Sequence, residues 1–483
     1  MRARMLAAPI AAALATACAV GPDYHRPEAP TAQTWQPAAP WQQAAPSDAL
    51  IKGSWWESFQ DPALSSLIEQ SLKANENLKV AAARLDQAHD QLAMARADLF
   101  PTVNLSAGAV RGKTSGNRPL SAYSVPNQST VQDDFKLGPS VSYELDLFGR
   151  VRREVEGARA SAEQAEADFE NTRLVLLANL ATDYFALRES DAEIDVVKHS
   201  LDLQRDALTF VKSRHDLGFA TGLDLAQQQA LLDSSATQLE LLQVQRAQFE
   251  HAIATLIGTP APQFTLASVS QGLPLPLLPV GVPSDLLERR PDVASAERAM
   301  AAANARIGVA KAAYFPNIQL LPGPAAPAVG YESNTFSNLI EAPSLFWSIG
   351  LSATQTLFDA GRTRAEVRFA RADYTAAVAG YRQTVLAAME EVENGITGLA
   401  ALGRASAQAV ESVKSAQTAY DIASERYKGG VDTYLDVITA QQTLLQDQRQ
   451  AVQIQGQQFA TAVYLVKALG GGWTGSARIS RAD

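Results

Sequence analysis

Side chains able to do chemistry are few in this chain, and they are scattered. It has one cysteine, Cys18, and five histidines, His25, His89, His199, His215 and His251, with no ligand-spaced cluster and no H-E-x-x-H among them. A disulfide scaffold and a structural zinc site are therefore excluded. Gly108-x3-Gly112-Lys113-Thr114 is one residue short of a phosphate-cradling P-loop, and no helical pattern follows it. With no convergent nucleophile, base and orienting group, the chain reads as a non-enzyme that needs no cofactor or metal. The balance of 41 Lys+Arg against 51 Asp+Glu, with 7% aromatics, argues against nucleic acid, which is gripped through cations facing phosphates. Two kinds of residue remain: a cysteine that could carry a lipid, and carboxylates at turns.

Cys18 follows Met-Arg-Ala-Arg, an apolar run from Met5 to Ala15, and Ala17. That order of charged, apolar and small residues reads as a signal peptide over residues 1–17, with Cys18 at the place where a bacterial lipoprotein is acylated. The lipobox is atypical, since its usual Leu stands one position early, at Leu14. Losing Arg2 and Arg4 with the signal takes the formal charge from −10 to −12. Beyond it no apolar run approaches 18 residues, so no membrane-spanning helix is expected. Residues 27–46, rich in Pro, Ala and Gln, read as an extended segment.

The elements that must position the turn carboxylates come in two copies. Arg214-x3-Gly218-x2-Thr221-x2-Asp224 recurs as Arg426-x3-Gly430-x2-Thr433-x2-Asp436, an offset of 212 that also carries Gly149-Arg150 onto Gly361-Arg362. Phe100-Pro101 and Phe315-Pro316 stand 215 apart. None of the 24 prolines lies between Pro139 and Pro260 or after Pro343, so long uninterrupted helices are predicted there; the span from Arg150 to Leu217 would run ~100 Å. Tyr374, Val378, Tyr381, Val385, Ala388, Val392, Ile396 and Leu399 step in heptad fashion, as do Val151, Val155, Ala158, Ala162, Ala165 and Phe169. Gly218 and Gly430 are expected to end helices in the left-handed conformation, with Arg214 and Arg426 on the helix dipoles, and Thr221/Asp224 and Thr433/Asp436 to start the return helices as capping boxes.

Between Phe-Pro and Gly-Arg the period changes to two. Val141, Tyr143, Leu145 and Leu147 alternate with polar residues, as do Trp347, Ile349, Leu351 and Ala353, while Val103 and Leu105 follow one Pro and Ile318 and Leu320 the other. A two-sided soluble sheet gives a similar pattern. Placement at the ends of very long helices, in a chain with an export signal, favours four transmembrane strands per chain, too few to close a barrel without other protomers.

The chain resembles the outer-membrane efflux factors of the TolC/OprM type, in their NodT-like lipoprotein branch. The residues carrying the resemblance are Cys18-x2-Gly21-Pro22-Asp23-Tyr24-x-Arg26-Pro27, then Trp55-Trp56-x2-Phe59-x-Asp61-Pro62-x-Leu64, then Pro283-Ser284-Asp285-Leu286-Leu287-Glu288-Arg289-Arg290-Pro291-Asp292 running on to Ala305-Arg306-Ile307-Gly308 and Phe315-Pro316. The resemblance implies an α+β membrane protein: two repeats of long helical hairpins forming a periplasmic α-barrel, with four strands per chain in a shared twelve-stranded barrel of a homotrimer. On that template the order is the signal peptide 1–17; a lipid-anchored segment and collar 18–60; a first repeat 61–258 with a β-hairpin at 101–148 and its tip near 218–222; a Pro-rich linker 259–285; a second repeat 286–470 with a β-hairpin at 316–358 and its tip near 430–433; and a tail 471–483. The implied function is the outer-membrane channel of a tripartite efflux system, a passive conduit for small molecules such as drugs, toxic compounds or metal ions. It would sit in bacterial outer-membrane lipid and work with a periplasmic adaptor protein and an inner-membrane pump of RND type. The rivals are a type I protein-secretion channel and a non-pore periplasmic scaffold lipoprotein.

Site residues follow from the same reading. Cys18 would bear the lipid, and Gly218, Thr221, Gly430 and Thr433 would meet the adaptor. Asp432, Leu435 and Asp436 are candidates for the aperture. Asp432 has Ala220 as its counterpart and is not needed by the shared capping pattern, so it stands either as one of three converging carboxylates or as a solvated turn residue. Asp436 and Leu435 are repeated by Asp224 and Leu223, so capping and core packing compete with any role at a pore. Thr439 stands where such proteins often carry an acid. Arg289-Arg290 reads as a collar ion-pair site.

Overall fold

The computed structural model describes residues 19–28, 54–117, 129–269, 275–276, 290–321 and 329–471. The signal peptide, Cys18, residues 29–53, most of the linker up to Arg289 and the tail after Gly471 lie outside the described residues.

The duplication is reproduced in the long helical hairpins, while the segments ahead of them are divided differently in the two copies. Helices α1 (Pro62–Ala74) and α2 (Glu76–Ala97) lead into strands β1 (Thr102–Lys113) and β2 (Val131–Glu144), then α3 (Arg150–Asp216) and α4 (Gly222–Leu256). The second copy is α5 (Pro291–Ala312), β3 (Asn317–Leu321), β4 (Val329–Ser333), β5 (Leu345–Trp347), β6 (Gly350–Thr354), α6 (Arg362–Lys428) and α7 (Tyr434–Ala468). Both proline-free stretches form a helix of 67 residues followed by one of 35. No helix among the described residues is long and apolar enough to cross a membrane.

The chain divides into two compact units, neither of which is one repeat. The first comprises Met1–Pro27, Leu85–Ala165 and Ala296–Gly380; the second comprises Glu28–Arg84, Glu166–Ser295 and Tyr381–Asp483. Each takes segments from both copies.

In the first unit six strand segments follow four antiparallel paths. β1 pairs with β2; β2 pairs with β4 around Leu137 and with β3 around Tyr143; β5 pairs with β4 and β6 with β3, all antiparallel. The expected four strands are thus interrupted in the second copy. Residues directly opposite share a face. On one face lie Val103 opposite Val141, Ala107 opposite Leu137, Tyr143 opposite Leu320, Leu320 opposite Leu351, and Val329 opposite Trp347. The other face carries Asn104 opposite Ser140, Lys136 opposite Glu332, and Gln319 opposite Ser352. Large apolar side chains of this face are exposed: Leu105 is 76% exposed and Trp347 74%. The P-loop-like Gly108, Gly112 and Lys113 lie within β1, with no loop to cradle a phosphate.

Ala19–Pro27 is strapped across α3 and α5 in the same unit. Val20 N–H donates to the Phe148 carbonyl, Asp23 pairs with Arg153 at 2.8 Å, the Tyr24 hydroxyl donates to Glu297, and Asn304 Nδ2 donates to the Pro22 carbonyl. Gly21, at φ +126°, lies against Gly308, where a Cβ on Gly21 would stand 2.6 Å from the Gly308 Cα. This close approach joins the two Gly-bearing motifs quoted above.

In the second unit Trp55, Trp56 and Phe59 are buried, and Phe59 packs on Phe185 and Phe459, which stack at 4.7 Å. Asp61 caps α1 through the Ala63 and Leu64 N–H groups and accepts the Tyr184 hydroxyl. Arg290 is buried as an ion-pair site, with Asp292, with Glu391, and on the Ala468 carbonyl that ends α7. The α6 heptad positions from Tyr381 to Leu399 are buried as expected. In α3 the pattern holds less well: Val151 and Ala162 are buried, but Ala160 and Ala167 take the places expected for Ala158 and Ala165.

Candidate functional site

Both hairpin tips lie in the second unit and share one backbone design. At the end of α3 the Phe219 N–H reaches the Arg214 carbonyl and the Gly218 N–H that of His215; at the end of α6 Val431 reaches Arg426 and Gly430 reaches Tyr427. This double bond closes a helix only if the residue after the cap is left-handed, and Gly218 (φ +81°) and Gly430 (φ +74°) supply it without a Cβ penalty. Thr221 and Thr433 then start α4 and α7 from nearly identical backbone angles.

The side chains differ. Thr221 and Asp224 form the full capping box, each accepting the other's backbone N–H, at 3.2 and 2.8 Å. Thr433 makes no such cap: its hydroxyl donates to Asp436 Oδ2 at 2.8 Å, so the second expected box is absent. The Asp436 N–H instead reaches the Thr433 carbonyl at 3.3 Å. Asp436 still lies in the first turn, where its charge favours the helix dipole.

Asp432 is tied to Arg426 by two contacts, the second at 2.9 Å. That guanidinium holds the Asp432 carboxyl below the usual carboxylate range, so it stays ionised and locally neutralised. Arg214, the counterpart of Arg426, leaves its own helix end. It donates to the Tyr427 carbonyl at 3.2 Å and lies 4.9 Å over the Tyr427 ring, thereby capping α6. Tyr434 donates to buried Gln228 Oε1 at 2.8 Å, and Gln228 in turn donates to the Gln204 carbonyl at 2.9 Å. Around them Val211, Leu231, Tyr427, Tyr434, Val437 and Ile438 form a buried cluster that packs the first tip on the second.

Leu435 and Leu223 are exposed, so the core-packing reading of that pair does not hold in the chain. With Leu217, Phe219 (71% exposed) and Val431 they make an apolar crown on both turns. Sequence reasoning missed Phe219 and Val431. The signal was available, since each follows its turn glycine at the same offset of 212. The five histidines are all exposed, and no group of three potential metal ligands occurs among the described residues.

Comparison with known proteins gives one family. The profile of outer membrane efflux proteins matches residues 67–259 and 282–471. The pyoverdine export outer membrane protein OpmQ of Pseudomonas putida is 33% identical over 90% of this chain and 92% of its own length. The toluene efflux pump outer membrane protein TtgI of Pseudomonas putida is 31% identical over 95% and 96%. The structure of the outer-membrane channel OprN superposes with a TM-score of 0.87 at 33% identity, over 95% of this chain and all of that one. Taken with the duplicated hairpins, the open amphipathic sheet and the paired tips, these matches mean that the chain belongs to the outer membrane efflux protein family.

Proposed function

We propose that this outer-membrane efflux protein is the passive exit duct of a tripartite pump, working as a homotrimer whose strands join in one twelve-stranded barrel. The carrying observation is the strand sheet. Its apolar side chains, Leu105 and Trp347 among them, are exposed and suit contact with lipid, whereas its two edges, unpaired among the described residues, are not tolerated in lipid unless other copies close the ring. A groove of 810 Å³ between α3, α5 and α6, lined by Gly157, Ala158, Val309, Ala310, Phe369 and Ala370, suits coverage by a neighbouring copy. Cys18, one residue before the strap that grips α3 and α5, would carry the lipid and hold it beside the sheet unit.

The tips would be the working end. The apolar crown and the turns at Gly218, Thr221, Gly430 and Thr433 offer a periplasmic adaptor a docking surface, and an inner-membrane pump of RND type would supply the energy. Asp432, Leu435 and Asp436 would line the aperture, with Asp432 acting as part of an ion pair. Relatives named for pyoverdine export and for toluene efflux support a small-molecule cargo. Reconstitution tests the reading: heat-modifiable trimers that conduct in planar bilayers are expected, whereas a water-soluble, non-conducting monomer would refute it in favour of a scaffold.

A further inference from the structure

Glu189 lies on α3, one turn after Phe185 and one turn before Glu193, in the seam between α3 and α7. Its side chain lies flat on Gly456, so closely that a Cβ there would run into its carboxyl and methylene groups. Gly456 is itself buried. Glu189 makes no ion pair or hydrogen bond among the described residues, and the cations of the seam are already engaged. Arg449 of α7 is bonded to Glu193 at 2.7 Å and to Gln238 of α4, and Gln453 of α7 also donates to Glu193. On α3, Arg188 pairs with Asp191 and the Ala267 carbonyl, while Tyr464, further along α7, lies near Glu391 and Arg290. The Phe185–Phe459 stack adds apolar surface on the next turn.

We propose that Glu189 is a proton-sensitive wedge: neutral, it lies on Gly456 and lets α3 and α7 close; ionised, it places an unpaired charge beside Glu193 and loosens that seam. The physical cause is burial first and Glu193 second, which together push the carboxyl up to about 7. The sign follows. A carboxyl raised in the folded state binds more protons than in the unfolded chain, so its contribution is complete below the ordinary carboxylate range and is lost as pH rises through about 7.

The test uses the full-length protein. Amide exchange of the wild type, normalised for intrinsic rate, should show protection around Glu189 and Gly456 falling between pH 6 and 8.5, with neighbouring α4 unchanged. Glu189→Gln should abolish that dependence, hold Tm level over the same range while the wild type loses a few degrees, and remove a protonated-carboxyl infrared band that titrates near neutrality. Seam protection independent of pH in the wild type would overturn the proposal even if the variant failed to fold. A lower Tm for Glu189→Gln at pH 8.5 would also overturn it, because it would mean that the carboxylate is charged and satisfied.

Discussion

At the first tip Arg214 abandons its own helix end and clamps the end of α6, whereas at the second Arg426, its repeat partner, folds back on Asp432 in the same turn. The backbones of the two tips are alike in their left-handed glycines and in the start of their return helices. Repetition therefore keeps what the backbone needs, while side chains that differ between the copies, Tyr427 for His215 and Asp432 for Ala220 among them, give the two arginines different partners. The first tip becomes the one that holds the other, and the second becomes the one with a charged, self-contained turn. A turn whose charges are satisfied locally can form part of an aperture without relying on neighbours.

Six substitutions would break or sharpen this contrast. The largest effect is expected for Arg214→Ala, which removes a charged hydrogen bond and a cation–π contact at a half-buried site. A loss of about 2 kcal/mol in thermal or denaturant unfolding is expected, while Arg426→Ala should leave Tm unchanged. Equal losses for the two would show that the arginines have not diverged. Tyr434→Phe comes next, at about 1–2 kcal/mol, because the buried Gln228 carbonyl oxygen is left without a donor. Thr221→Ala should cost ~1 kcal/mol through its capping box, and Thr433→Ala less than half of that, since no backbone N–H is capped there. Matching losses would mean that the second box forms in solution. Asp432→Ala should be nearly silent in stability but raise single-channel conductance in planar bilayers, and unchanged conductance would remove Asp432 from the aperture. Since Arg426 lowers the Asp432 carboxyl, their ion pair is present above the ordinary carboxylate range and lost only as pH falls through the lowered value, so a change in conductance on titrating Asp432 is expected only in acid below the ordinary carboxylate range.

Much of the fold was legible because it rests on local rules. Proline absence, two turn glycines and the repeat offset mark both hairpins, and period-two runs mark the strands. Local rules also misled in places. The same Thr-x-x-Asp spacing gave a box at Thr221 and none at Thr433, and of the two readings of Leu435, aperture or core, its exposure leaves out core packing within the chain. The register by which β2 meets Tyr331 at Leu137 and Leu320 at Tyr143 is expressed by no single run of residues.

The sequence by itself determined where helices begin and end, that they are duplicated, and that the strands have one apolar side, because those properties depend on neighbours within a few residues. Which partners the buried and charged groups would find was decided only by tertiary packing. Arg214 meets a carbonyl over two hundred residues away, Tyr434 meets Gln228, and Glu189 meets a glycine on the facing helix. A side chain's partner is set by which helix faces it and at what register, and long helices of similar composition leave that choice open until they pack.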